Sequence, residues 1–366
     1  MKTTLQIKLL PTPAQHTALL DTMHAFNAAC TWIAEYAYEE RCASKFQLQK
    51  QLYQEIRQRF GLSAQLAIRA IAKTVEAYKR DKNTRVAFRP DGAVIYDQRI
   101  MAFKGLDAVS LTVLTGRVVV PMQMGDYQRV QFSRAKGQAD LVLVKGQFYL
   151  LVTIETPEAP QMVPERFMGV DLGIVNIAAD STGTLHSGAE VEHVRQRCQC
   201  HRASFQHTGT KSATRRLKVM AGKESRFRRW VNHRTANTLV AKAKDTKSAI
   251  VLEDLTGIRE RTTVRHGQRN KHSGWSFRQL QAFIVYKAQR LGVAVCFVDP
   301  RNTSKTCSRC GFCDRRNRRS QDRFSCLRCG FLCHADTNAA RNLATRGQVT
   351  APDLIAPVRG QLAFSW

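Results

Sequence analysis

Apolar and polar positions alternate from residue 3 to residue 10, with Leu5, Ile7 and Leu9 on one side, and this predicts a strand. Thr12-Pro13-Ala14-Gln15 then forms a capping box with proline at the first helical position, so a helix follows. Leu19, Met23, Phe26, Asn27, Cys30 and Ile33 recur at helical spacing, with Trp32 and Tyr36 flanking. That stripe is read as core. Two further helical patterns occupy about 46–58 and about 63–80. From about 85 to 155 the period becomes two, with β-rich runs at 109–114, 117–120, 139–144 and 148–154 separated by glycine turns. A small barrel or curled sheet, interrupted by the helices before it, is expected. Thr156-Pro157-Glu158-Ala159-Pro160 and Pro164 read as a linker, with a second lobe starting near 165.

The second lobe opens with a strand ending at Asp171 and a hairpin partner at 176–179. A basic helical region follows, in which Phe227, Trp230, Val231, Leu239 and Val240 form a partial apolar stripe. Residues 249–252 read as a short buried strand. Residues 277–291 form an amphipathic helix with Leu280, Phe283, Ile284, Ala288 and Leu291 on one side, and 294–298 is another strand. Strand, helix, strand with acids at the strand ends predicts an α/β layer of RNase H type. No internal repeat or long low-complexity tract is present.

Charge then narrows the partners. The 366 residues carry 57 Lys/Arg against 29 Asp/Glu, a net charge of +28 that attracts polyanions. The charge is clustered, because residues 195–247 hold 15 Lys/Arg and 2 Asp/Glu. Arg215, Arg216, Arg226, Arg228 and Arg229 are candidate phosphate contacts, against the alternative of a solvated helix face. No signal peptide or membrane-length apolar run is apparent, so no membrane partner and a cytoplasmic, bacterial, nucleoid-associated location are expected. In that compartment eleven cysteines point to metal more than to disulfides.

Cys307, Cys310, Cys326 and Cys329 are spaced C-x2-C-x15-C-x2-C, with Gly311 and Gly330 after each knuckle. Four thiolates in that arrangement suit a closed, structural Zn2+ site, a zinc ribbon at about 303–333. Cys313, Cys333 and the Cys198-Gln199-Cys200-His201 cluster are read as bystanders. Arg309, Arg315, Arg316, Arg318, Arg319 and Arg323 surround the ribbon as further phosphate contacts.

Three acids carry the candidate catalysis: Asp171 and Glu253 at strand ends, and Asp336 at a helix start. Phosphodiester cleavage uses an activated water and a stabilised leaving oxygen, which divalent ions gathered by carboxylates supply. Hard Mg2+, or Mn2+, suits such oxygen ligands. Taken singly, each acid has a plain alternative, and Asp336 alone reads as a helix N-cap. Asp254, on the opposite side of its strand, is read as structural or supporting. Gly169-Val170-Asp171-Leu172-Gly173 also occurs in actin-like ATPases. The loop after it lacks hydroxyls, and no second glycine-rich phosphate turn appears later.

These motifs together resemble the TnpB (OrfB) family encoded by insertion sequences, which is similar to compact type V CRISPR effectors. The resemblance rests on Leu10-to-Gln15, the Asp171 and Glu253 strands, Trp275-Ser276-Phe277, and Val298-Asp299-Pro300 through Thr303-to-Gly311. Most specific is that last run followed by Asp336-Thr337-Asn338-Ala339-Ala340-Arg341-Asn342. It implies a multidomain α/β plus β chain. Residues 1–160 would be a wedge-like β-barrel with an inserted helical recognition region at about 11–80. Residues 165–366 would be a RuvC-like nuclease domain interrupted by a basic helical insertion at about 190–247 and by the zinc ribbon. It also implies Mg2+-dependent cleavage of double-stranded target DNA directed by a guide RNA from the transposon end, with the protein acting as a monomer on that RNA. A guide-bound repressor without cleavage, and an RNA-independent transposase or recombinase, are the competing functions.

Overall fold

A computed structural model of the protein describes residues 2–80, 83–255 and 276–350, and Trp275 of the Trp-Ser-Phe motif lies outside them. The chain divides into two compact units, Met1–Pro157 and Glu158–Trp366.

The first unit is built on seven antiparallel strands in the order β2-β6-β7-β1-β5-β4-β3. The strands are β1 (Lys2–Leu9), β2 (Val94–Tyr96), β3 (Met101–Lys104), β4 (Ala108–Val113), β5 (Gly116–Gln123), β6 (Ala135–Val144) and β7 (Gln147–Glu155). β1 is central, pairing with β7 from Lys2↔Glu155 to Lys8↔Tyr149 and with β5 through Leu9↔Met122. Its alternation puts Leu5, Ile7 and Leu9 in the core. Tyr96 on edge strand β2 donates its hydroxyl to the carbonyl of Thr112 on β4, 2.9 Å away. The sheet therefore curls into a nearly closed barrel. Between β1 and β2 run α1 (Pro13–Glu39), α2 (Lys45–Phe60) and α3 (Ala64–Arg80). The capping box starts α1, with Gln15 N donating to Thr12 Oγ1 at 3.3 Å and Thr12 N donating to Gln15 Oε1 at 3.0 Å. Leu19, Met23, Phe26, Asn27, Cys30 and Ile33 are all buried. Asn27 is tolerated there because its amide donates to the carbonyls of Met23, Pro90 and Gly92. Strands β2 and β3 and the short helix α4 (Asp126–Phe132) were not evident in the sequence pattern.

The second unit holds a five-stranded sheet, β10-β9-β8-β11-β12. Its strands are β8 (Arg166–Asp171), β9 (Asn176–Asp180), β10 (Leu185–Ser187), β11 (Ser248–Glu253) and β12 (Val295–Val298). β10, β9 and β8 are antiparallel, while β8, β11 and β12 run parallel. Every residue of β11 is buried, as expected of a central strand covered on both faces. Ile250 and Leu252, with Met168 and Val170 of β8, pack under α6 (Lys211–Asp245) and α7 (Phe277–Leu291). Val251 turns the other way and packs with Leu343 of α8 (Ala335–Val349).

The basic region resolves into two helices, α5 (Ala189–Thr208) and α6, separated at Gly209 (φ +66°) and restarted by Thr210, whose hydroxyl accepts from Ala213 N. Two stripe positions depart from expectation. Trp230 is 51% exposed, with the Arg234 guanidinium 4.6 Å from its ring centre, and Leu291 is 38% exposed at the end of α7.

Candidate metal centres and nucleic-acid surface

Period two decides which way the strand-end acids point. On β11, Glu253 shares a face with Val251, and on β8, Asp171 shares a face with Gly169; this is the face α8 covers. The parallel register pairs Val170 with Leu252, so Asp171 and Glu253 follow as neighbours at the carboxyl ends of adjacent strands. Helix α8 settles close on this face because two glycines allow it. A Cβ on Gly169 would stand 1.9 Å from the Ala340 carbonyl oxygen, and one on Gly347 would stand 2.4 Å from Val251 Cγ2. Gly169 therefore admits a helix. That packing accounts for the first glycine of the motif shared with ATPases without a phosphate ligand.

Asp336 lies in the first turn of α8 and is 5% exposed. The capping role belongs to His334, whose Nδ1 accepts from Asp336 N at 3.2 Å, so the Asp336 carboxylate is free for other partners. Asn176 donates to its Oδ2 at 2.9 Å and Arg318 to its Oδ1 at 3.2 Å. Glu253, 8% exposed, accepts from Thr303 Oγ1 at 3.1 Å, and its carbonyl accepts from Gln281 Nε2 at 2.8 Å.

Asp171 feels the other two carboxylates. Desolvation, then the charges of Glu253 and Asp336, hold the Asp171 carboxyl well above the usual carboxylate range, with Arg318 opposing. Burial raises Glu253 as well, against the Thr303 hydrogen bond and Arg346. Such a desolvated acidic set is stabilised by a cation bound among its oxygens, and hard oxygen donors suit Mg2+ or Mn2+. Among the described residues, these acids do not form a group of ligand atoms as close as that of the cysteines below.

In the ribbon, Cys307, Cys310, Cys326 and Cys329 bring their sulfurs within 4.8 Å of one another. The Cys307–Cys329 and Cys310–Cys326 separations are 3.8 and 3.5 Å. Tetrahedral sites with Zn–S of about 2.3 Å have S···S distances of about 3.8 Å, so these four could hold zinc. Each knuckle is a tight turn: Gly311 N donates to Cys307 O at 2.9 Å and Gly330 N to Cys326 O at 3.0 Å, with both glycines at positive φ. Cys313 and Cys333 fall outside this group, as do Cys198 and Cys200.

Side chains of α8 fasten the ribbon. Asn338 accepts from Ser308 N at 3.0 Å and donates to Thr306 O at 2.8 Å; one turn on, Asn342 donates to Thr303 O and Thr306 O at 2.8 and 2.7 Å. The i, i+4 spacing of the two asparagines was visible in the sequence, but their partners were not. Asn176 and Gln281 were not singled out in the sequence because nothing local distinguishes them, and Thr303 stood out only as part of a motif, with no partner assigned.

Of the five candidate arginines on α6, Arg215, Arg216, Arg226 and Arg229 are exposed, while Arg228 is partly buried and its pKa is lowered by desolvation and by Arg202. Around the ribbon, Arg318 turns to Asp336, Arg316 pairs with Asp314 at 2.9 Å, and Arg309, Arg315, Arg319 and Arg323 are exposed.

Residues 277–343 match the Cas12f1-like TNB domain. The chain is 30% identical over 241 residues to a CRISPR-associated endodeoxyribonuclease Cas12f1 from Syntrophomonas palmitatica, covering 60% of this chain and 48% of that protein. It is 33% identical over 218 residues to a Cas12f1 from Sulfoacidibacillus thermotolerans, covering 55% and 50%. It is 33% identical over 133 residues to a TnpB-like protein of Methanocaldococcus jannaschii, covering 36% and 47%. The chain thus spans about half the length of the curated relatives it matches. In fold it is similar to Cas12f1 from a cryo-EM complex with single-guide RNA and target DNA. The TM-score is 0.61 at 14% identity, over 89% of this chain and 82% of that one. It is also similar to the mini-RNA-guided endonuclease CRISPR-Cas_phi3, with TM-score 0.55 at 12% identity over 94% and 92%. The TNB segment and the sequence matches thus make the chain similar to TnpB-like proteins and to Cas12f1, and the shared fold agrees with that likeness.

Proposed function

We propose that the protein is an RNA-guided DNA endonuclease of an insertion sequence, with a RuvC-like centre formed by Asp171, Glu253 and Asp336. One observation carries this reading: three acids far apart in sequence lie where β8, β11 and α8 meet, close enough that the charges of Glu253 and Asp336 raise the pKa of Asp171. In this reading Mg2+ or Mn2+ supplies charge for an attacking water and for the leaving oxygen when bound. The chain's own residues do the rest. The sheet holds Asp171 and Glu253 at adjacent strand ends, Asn176 and Arg318 orient Asp336, and Thr303 and Gln281 hold Glu253. Partial burial of the set keeps bulk water from screening it. The four-cysteine ribbon would hold one structural zinc, and the exposed arginines of α6 and the ribbon would meet phosphates of a guide RNA from the transposon end and of double-stranded target DNA. The seven-stranded barrel with α1–α3 inserted would serve as the wedge and recognition elements, the protein working as a monomer on its RNA.

The deciding experiment expresses the chain with its native flanking DNA, sequences the co-purified RNA, and challenges a plasmid library matched to that RNA in Mg2+. Matched cutting that is lost in Asp171→Ala, with RNA still bound, is expected. Unchanged cutting by that variant would refute the site. RNA-directed occupancy without cutting by the unmodified protein would favour a repressor, and recognition indifferent to RNA would favour a conventional recombinase.

A further inference from the structure

Thr303 sits between two sites that lie apart in the sequence. It is 3% exposed, four residues ahead of the first ribbon cysteine, and its hydroxyl lies 3.1 Å from Glu253 Oε1 and 3.0 Å from Pro300 O. A hydroxyl has one hydrogen to give. With Glu253 ionised, the charge-assisted bond to the carboxylate is the stronger of the two, so the hydrogen is directed to Glu253. The backbone of Thr303 is fixed as well, because its carbonyl accepts from Asn342 Nδ2 at 2.8 Å. The same amide reaches Thr306 O at 2.7 Å, and Asn338 spans Thr306 O and Ser308 N. The loop from Thr303 to Ser308 is thus clamped to α8, the helix that carries Asp336, and ends in the cysteine knuckle. The backbone of Glu253, the last residue of β11, is paired with Val298 of β12 and held by Gln281 at its carbonyl, while Thr303 meets its carboxylate.

We infer that Thr303 is a positioning residue: it fixes the rotamer of the Glu253 carboxylate so that the three acids bind a divalent cation, and it makes that geometry depend on the ribbon loop. Groups that hydrogen-bond a ligating carboxylate from outside set its direction, and losing one typically weakens metal affinity about 10- to 100-fold. The inference rests on the proposed role of Glu253, and its test separates the two.

The test titrates Mn2+ into the full chain without nucleic acid, following free Mn2+ by electron paramagnetic resonance, in the unmodified protein, Asp171→Ala, Thr303→Val and Thr303→Ser. Zinc content is measured on each sample. Thr303→Val keeps the shape and removes the donor, and Thr303→Ser keeps the donor. The expected result is Mn2+ affinity lost in Asp171→Ala, about 10-fold or more weaker in Thr303→Val, and within a few-fold of unmodified protein in Thr303→Ser, with zinc unchanged at about one per chain. Unmodified Mn2+ affinity in Thr303→Val overturns the inference and leaves the acidic site standing. Weaker binding that accompanies loss of zinc in Thr303→Val also overturns it, since the residue would then be holding the ribbon together. Mn2+ binding indifferent to Asp171→Ala overturns the reading of the acids and this inference with it.

Discussion

Replacing Gly169 by alanine tests whether the seating of α8 on β8 creates the acidic site. The added Cβ would lie 1.9 Å from Ala340 O, 2.6 Å from Ala344 N and 3.0 Å from Ala340 C. All three are backbone atoms, so no side-chain rotation relieves the contact. Ordinary contact begins near 3.4 Å, so α8 has to withdraw by roughly 1.5 Å, or the strand has to give by the same amount. Overpacking of this kind costs about 1–3 kcal/mol. With a urea slope of about 2 kcal/mol/M, the unfolding midpoint of the second unit falls by roughly 1 M. Under the proposed function, the effect on cleavage is larger than that on stability. Asp336 moves with α8, and misplacement by about 1 Å costs on the order of 100-fold in rate. Urea unfolding followed by circular dichroism, and cleavage measured where the variant is fully folded, read the two effects separately. Gly125→Ala is the control: its Cβ meets only Gln128 Oε1, at an ordinary 3.7 Å, and a change within about 0.5 kcal/mol is expected. A Gly169→Ala protein with the unmodified midpoint and rate would refute the claim that close helix seating builds the site.

Three further outcomes follow from the same geometry. Asp171 has a raised pKa in the folded protein, so the folded state binds the extra proton and, without divalent cations, stability should rise as pH falls through that raised value toward the ordinary carboxylate range. Asp171→Asn should therefore melt higher than unmodified protein in EDTA at neutral pH while failing to cut; an unchanged or lower melting temperature would count against the like-charge account. His233 stacks on Phe283 with centroids 3.8 Å apart, and burial, with Lys287 and Arg229, lowers its pKa to about 4. Its neutral form stabilises the fold above pH 6.5 and that contribution is lost as pH falls from there through about 4, so His233→Phe should flatten the acid limb of a melting-temperature profile. Arg226→Gln and Arg229→Gln should each lower the slope of log affinity against log salt by about 1, measured by filter binding; an unchanged slope would remove that residue from the phosphate surface.

Local pattern made much of this legible. The alternation of Leu5, Ile7 and Leu9, the capping box at Thr12, the stripe of α1 and the apolar run of β11 depend on neighbours two to four residues away, and each appears as an element where expected. The cysteine spacing also works locally, since each knuckle closes within five residues. Strands β2 and β3, three and four residues long, carry too few positions to show a period. Trp230 misled because an apolar residue at helical spacing says nothing about whether anything covers it.

The sequence by itself determined the longer elements, the charged segment, the knuckles and the nomination of three acids, because these rest on spacing, charge and side-chain chemistry. Only the tertiary structure decided that β8 and β11 lie parallel in a register that sets Asp171 beside Glu253, that His334 takes the cap and frees Asp336, and that Thr303, Asn176 and Arg318 reach the acids. Those facts depend on pairings across as many as 160 residues. Side-chain period carries no information on which distant strand or helix will supply the partner; close packing between elements does.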